Sequence, residues 1–256
     1  MEINNIKQIN DMIESVKFET VDHGNVVIFT NGNDWYIPTL INNLYKSMKK
    51  YEPDKKLLIF CSDTQGYEKC GELGFEYYEN IEIPDLNVSH ILKDSDGTTS
   101  DYTKLSFVKT VIMRHILDLG YTPLYLDPDM ALKRPCIPDL LSNLKDHDFV
   151  CAGSYSWLNS NIMIAKPTPF NLELFEVTSD DISNIVEDPH LYGDEDLLRP
   201  RLKNNTDKYK CVDIKKYPNG NDALKYINHA CIIHANCVIG LDNKIKLLKQ
   251  CDAWDC

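Results

Sequence analysis

What most constrains this chain is an alternation that runs through it. Short apolar runs, several rich in β-branched residues, are separated by stretches with helical periodicity. The runs fall at 26–30, Leu57–Cys61, 123–126, 149–153 and 162–165, with a shorter candidate at 76–78 and another at 232–233. Helical spacing covers 37–51, with Pro38 in its first turn, then 65–73, 171–177, Asp194–Leu202 and 243–250. The clearest helix is 101–119, where Leu105, Val108, Ile112, Ile116 and Leu119 mark one face and Gly120 follows as the stop. Residues 80–100 read as polar and irregular. Runs that are apolar on both faces belong to strands covered on both sides, so the pattern predicts an α/β fold with a mostly parallel sheet flanked by helices. No linker, repeat or low-complexity tract divides the 256 residues, and 43% hydrophobic content is enough for one large core. The expectation is a single domain over 1–256. Residues 1–24 read as an amphipathic N-terminal helical extension, with Ile3, Ile6, Ile9, Met12, Ile13 and Val16 at helical spacing.

A net charge of -12 argues against nucleic acid and anionic membrane surfaces as main partners. None of the nine cysteines forms a C-x-x-C pair, which argues against a zinc ribbon or a redox motif. Several, such as Cys61 and Cys151, lie in apolar runs as small core residues, and a reducing compartment is the simplest setting. The first residues lack the apolar segment of a signal peptide, and no segment is long and apolar enough to span a bilayer. A cytoplasmic location is therefore expected.

In open α/β sheets ligands bind beyond the carboxyl ends of the strands. The run Leu124-Tyr125-Leu126 ends in Asp127-Pro128-Asp129. Residues two apart in extended backbone point the same way, so both carboxylates can face one site. Pro128 has no N–H to donate, so regular pairing stops there. Two carboxylates side by side suit Mn²⁺ or Mg²⁺, completed by water and phosphate oxygens. Two solvated loop acids would have the same spacing; the place at a strand end favours the metal. A rival lies at Asp94-Ser95-Asp96-Gly97-Thr98, which mimics the nucleophile loop of phosphatases that form an aspartyl-phosphate. It follows Leu92-Lys93 rather than a strong apolar run, and a polar loop is the simpler reading.

The helix carrying Lys109, then Leu117-Asp118-Leu119-Gly120-Tyr121 and Leu124 to Asp129, resembles the nucleotide-diphospho-sugar transferase family, including members from large DNA viruses. Three later pieces fall in that family's order: Asn159 to Thr168, Gly193-Asp194-Glu195-Asp196-Leu197-Leu198, and His234 to Lys244. The resemblance covers about residues 25 to 245. It implies a Rossmann-like GT-A fold with a mixed, mostly parallel sheet. The implied activity is metal-dependent transfer of a sugar from a nucleotide-diphosphate donor to a glycan or other hydroxyl acceptor. For a viral member the setting would be the host cytoplasm. Two positions depart from the family pattern: Asn161 stands where glycine is usual, and Glu195 where glutamine is common.

By the resemblance, Asp129 and His234 ligate the metal, with Asp127 beside them or serving the donor. Gly240 and Lys244 approach the diphosphate. Lys109 contacts the nucleotide or braces Asp127. Thr30, Asn31 and Asp63 end the first two strands, where the base and ribose would lie, although all three are also ordinary turn formers. Asp194, Glu195 and Asp196 supply the catalytic carboxylate, Asp194 first by alignment. Trp157 offers an aromatic face to a sugar or a core-packing residue. The main alternative is a non-catalytic nucleotide- or glycan-binding module on the same scaffold.

Overall fold

Among the described residues eight strands form the central sheet, and β3 and β5 within it are buried along their whole length. The computed structural model describes residues 1–86, 100–154, 157–188, 190–191 and 193–256. The Asp94–Thr98 segment, read above as a rival phosphatase loop, lies outside them. The strands are β1 (Phe18–Thr20), β2 (Gly24–Gly32), β3 (Leu57–Cys61), β4 (Tyr78–Asn80), β5 (Thr122–Leu126), β6 (Met130–Leu132), β7 (Phe149–Ser154), β8 (Trp157–Ala165), β9 (Tyr209–Cys211) and β10 (Ile232–His234). The sheet runs β4-β3-β2-β5-β8-β7-β9, with β1 paired to β2, while β6 and β10 make a separate two-stranded ribbon. β4, β3, β2 and β5 are parallel; β8 is antiparallel to β5 and β7; β9 is parallel to β7. The mixed, mostly parallel sheet expected from the sequence is present.

Alternation along the strands divides the core in two. Val27 and Phe29 of β2, Leu58 and Phe60 of β3 and Tyr125 of β5 share one face. Against it pack α1 (Ile6–Val16), α4 (Ser100–Asp118), α6 (Pro169–Leu174), α7 (Ser179–Glu187) and α8 (Asp194–Leu202). Val26, Ile28, Leu57, Ile59, Leu124 and Leu126 share the other face, with α2 (Asn42–Tyr51), α3 (Thr64–Glu72) and α5 (Ile137–Ser142). A third cluster joins α9 (Gly220–Tyr226) and α10 (Leu241–Gln250) to Ala131 and Ile233 of the ribbon. Each fully buried Leu, Ile or Phe in these layers contributes about 1.5–3 kcal/mol relative to exposure.

The N-terminal reading needs correction. The helix stops at Val16, Phe18–Thr20 form a strand, and Gly24 opens β2. Ile9, Ile13 and Val16 are buried in the first core layer, so this helix covers the sheet rather than extending from it. The strand expected at 76–78 lies at Tyr78–Asn80. The helix expected at 37–51 is present, but its first turn, Ile37–Ile41, is π-helical.

The chain runs from β2 to β3 and β4 on one side, then returns to place β5 on the other side of β2. The crevice beyond the carboxyl ends of β2 and β5 is thus a topological switch point. One further contact fixes the second layer. Glu52, buried just after α2, accepts N–H groups from Cys136 and Ile137 at 2.6 and 2.8 Å and so serves the otherwise uncapped start of α5. Glu52→Ala leaves two buried donors without an acceptor and is expected to lower unfolding free energy by about 2–4 kcal/mol. Urea unfolding monitored by circular dichroism reads this directly; a loss under about 0.5 kcal/mol would contradict it.

Candidate functional site

Asp127 follows the last residue of β5, and its N–H donates to the carbonyl of Asn161 on β8 at 2.9 Å. The chain turns at Pro128 and enters β6, which pairs with β10 so that Met130 lies opposite His234. The N–H of Ala235 then donates to the carbonyl of Asp129 at 3.0 Å. This ribbon carries His234, more than a hundred residues away in sequence, to the end of β5. His234 Nε2 lies 2.9 Å from Asp129 Oδ1 and 3.4 Å from Asp127 Oδ2. One ligating atom from each of the three residues falls within a 4.8 Å group.

These atoms fit a divalent cation. Asp129 and His234 are buried, at 6% and 4% exposure, and Nε2 has a close carboxylate but no aligned hydrogen bond. A buried nitrogen beside two carboxylates is a mixed N/O donor set that Mn²⁺ or Mg²⁺ accepts. The surrounding charges are balanced by side chains from other elements. Lys244 of α10 reaches Asp129 Oδ2 at 2.5 Å and also donates to the carbonyl of Ala235 at 2.9 Å. Lys109 of α4 lies 3.6 Å from Asp127 Oδ1 and 3.4 Å from Asp194 Oδ2, over the ring of Tyr125 at 5.3 Å. The Tyr125 hydroxyl donates to Asp127 Oδ1 at 2.7 Å.

Burial alone would raise both carboxyl pKa values. Lys109 and then His234 outweigh it at Asp127, and Lys244 and His234 outweigh it at Asp129, so both are held below the usual carboxylate range. Burial would depress His234, but Asp129 and Asp127 reverse this and raise it. Asp194 behaves differently: burial raises its pKa, and Lys109 offsets only part of that. Glu195 is raised to about 7 by burial and by the neighbouring Asp194.

The three residues open on a cleft of about 400 Å³ at the switch point. Asn31 and Gly32 of β2 and Tyr36 form one part of its lining; the segment from Asn236 to Leu241, with Lys244, forms another. Gly240 precedes α10 with φ +85°, a conformation favouring glycine, and the first turn of the helix faces the cleft. The volume is in the range of small-molecule sites.

Not every expected residue joins this cleft. Thr30 is fully buried and does not line it. Asp63 caps α3, accepting from Gly66 N at 2.5 Å and from Asp34 N at 3.1 Å, and lies on a different cavity with Ser62 and Asn80. The acidic cluster is divided. Asp194 turns to Lys109, its N–H held by Ser106 Oγ at 3.1 Å. Glu195 accepts from Ser160 N at 3.1 Å, and Asp196 pairs with Arg199. None of the three lines the cleft; Lys109 is their link to it. Three partners were not singled out from sequence: Tyr125, Ser106 and the Asn161 side chain against His234. Spacing carried a signal for two of them, since Tyr125, Asp127 and Asp129 share the period of two, and Ser106 and Lys109 lie one turn apart.

A family model for nucleotide-diphospho-sugar transferases matches residues 54–248. A curated, uncharacterised protein of Arabidopsis thaliana is 23% identical over 210 residues, covering 77% of this chain and 52% of that one, so the chain spans about half the length of that relative. Among solved structures, the galactosyltransferase LgtC with donor and acceptor sugar analogues superposes with a TM-score of 0.59 at 11% identity, over 90% of this chain and 96% of that one. Mouse xyloside xylosyltransferase 1 gives 0.54 at 14% identity, over 83% and 98%. The glycosyltransferase GlyE of Streptococcus pneumoniae gives 0.54 at 16% identity, over 88% and 59%. At these identities the structural likeness establishes the GT-A fold.

The raised pKa of Glu195 has a measurable consequence. Between its ordinary value of 4.5 and about 7 the folded chain binds more protons at this side chain than the unfolded chain does. Its contribution to stability therefore falls as pH rises through that window, and the penalty is complete above about 7. Glu195→Gln keeps an acceptor for Ser160 N and removes the titration. The melting temperature of the variant minus that of the parent should rise between pH 4.5 and 7.5; a flat difference would contradict the assignment.

Proposed function

We propose a function from a settled premise: the chain belongs to the nucleotide-diphospho-sugar transferase family. Our reading is that it transfers a sugar from a nucleotide-diphosphate donor to a glycan or other hydroxyl acceptor. The dependence is on Mn²⁺ or Mg²⁺ held by Asp127, Asp129 and His234. The observation that carries the reading is the convergence of those three residues on the floor of the cleft that Lys244 and the first turn of α10 also face.

When bound, the cation supplies positive charge to the diphosphate as it becomes the leaving group. The chain's own groups do the rest. Asn31 and Gly32, at the end of β2, border the nucleoside. Gly240, which has no side chain to cap the helix, and the N-terminal amides of α10 offer N–H donors to a phosphate, and Lys244 adds a cation within the same turn. Tyr125 and Lys109 hold Asp127 ionised and oriented. Of the three acids, Asp194 is fixed by Lys109 and Ser106, which suits positioning. Glu195 has the pKa of a group that exchanges a proton near neutrality, which suits a base if configuration is inverted. Asp196, engaged by Arg199, steadies the start of α8. A cytoplasmic setting is supported by nine cysteines that are all free thiols. Among the described residues no helix is long and apolar enough to cross a membrane.

One observation favours a binding module without turnover: no member of the acidic cluster lines the cleft. The same experiment separates the two. A thermal-shift panel of nucleoside diphosphates and nucleotide sugars, with and without Mn²⁺, should show stabilisation that needs both nucleotide and metal, of about 2.7 kcal/mol at one hundred times Kd. Asp129→Ala and EDTA should each remove it, together with donor hydrolysis. Hydrolysis unchanged by EDTA would end the metal reading. Metal-dependent binding without hydrolysis or transfer, unaltered by Glu195→Gln, would select the binding module.

A further inference from the structure

Asn161 lies on β8 with its carboxamide against the ring of His234: Nδ2 and Nδ1 are 2.5 Å apart, and the residues are 3% and 4% exposed. Its backbone carbonyl accepts the N–H of Asp127. One residue thus touches two members of the Asp127–Asp129–His234 group.

A neutral imidazole carries its proton on one nitrogen and a lone pair on the other. Nδ1 is the ring nitrogen that faces the carboxamide, and Nε2 faces Asp129 and Asp127. A cation beside Nε2 needs the tautomer with the lone pair on Nε2 and the proton on Nδ1, donated to an acceptor. The amide can supply that acceptor. Its Oδ1 is buried with no hydrogen-bond partner, and its Nδ2 bonds only His234. The two orientations of the amide therefore differ only in what they offer the ring. A half-turn of the terminal torsion exchanges them without moving another side chain.

We infer that Asn161 is the positioning residue for His234: its Oδ1 accepts Nδ1–H, so that the Nε2 lone pair is presented to a divalent cation. This rests on the metal reading above, and no covalent step is involved.

The test is the tautomer itself. Long-range ¹H–¹⁵N spectra of the histidine rings, with His234 assigned by its loss in His234→Gln, are recorded with and without Mg²⁺ at saturating nucleoside diphosphate. Loaded His234 should carry its proton on Nδ1, with Nε2 bare. Asn161→Asp, which can only accept, should hold Nδ1–H throughout and keep Mn²⁺ binding, measured by electron paramagnetic resonance. Asn161→Leu, which can do neither, should weaken Mn²⁺ binding about 10–100-fold. His234 protonated on Nε2 when loaded, or Asn161→Leu binding Mn²⁺ like the parent, would overturn the inference. If Asn161→Leu does not fold, the parent and Asn161→Asp spectra decide alone. Asp129→Asn separates the two levels of the argument. Should parent and Asp129→Asn both fail to bind Mn²⁺, the metal reading falls and takes this inference with it. Should Asp129→Asn lose binding while Asn161→Leu keeps it, only the role of Asn161 falls.

Discussion

Two carboxylates of the same sign, Asp127 and Asp129, sit at the end of one strand with Asp129 nearly out of reach of water, and the surrounding architecture answers their charge. At 4 Å and an effective dielectric of 20, one pair of unit charges interacts by about 4 kcal/mol, comparable to a large share of a domain's net stability. The compensation arrives from three elements: Lys109 from α4, Lys244 from α10 and His234 from β10. α4 lies more than a hundred residues before the β10–α10 segment, and both bring positive charge to this point. The C-terminal β10–α10 segment is thereby tied to the first half of the chain by charge as well as by packing. Such a cluster is a poor device for stability, because apolar residues of similar volume would avoid the desolvation cost. Its retention makes sense if the charges serve a ligand.

The strand that makes the arrangement possible is the one that breaks the parallel pattern. β8 runs against β5, so its early residues lie beside the carboxyl end of β5. The register sets Ile162 opposite Leu126, and the next step along places the carbonyl of Asn161 against the N–H of Asp127. From this short stretch Ser160 holds Glu195 and Asn161 meets His234. Gly193 completes the frame from the far side. It adopts φ +146°, and a Cβ there would fall 2.2 Å from Ser106 Oγ, so only glycine lets α8 begin against α4 with Asp194 beside Lys109.

Much of this was legible in the sequence, for physical reasons that also explain the rest. Runs apolar on both faces can only be covered strands, and β2, β3, β5, β7 and the end of β8 fell where those runs predicted. Asp127 stood out because it closes an apolar run, Asp129 because it lies two residues further on, and His234, which also follows an apolar run, through the family resemblance. β1, β6 and β9, three residues each, were not anticipated. Asp63 was read both as a strand-end ligand residue and as a turn former, because the two have the same chemistry; in the structure it caps α3 through the hydrogen bond from Gly66 N. The division of Asp194, Glu195 and Asp196 follows from how α8 rotates against α4 and β8, which is a tertiary fact. Asn161 was visible as a departure from the family pattern, but its contact with His234 depends on a ribbon whose first strand was not seen.

Lys109 joins the two halves of the site. One ammonium lies 3.6 Å from Asp127 and 3.4 Å from Asp194, so its field is divided between a carboxylate that faces the cleft and one that does not. Burial raises the pKa of Asp194, and the ammonium of Lys109 offsets part of that rise. The acids are set back from the cleft, and Asp194 is joined to it through the ion pair with Lys109, a residue of its lining.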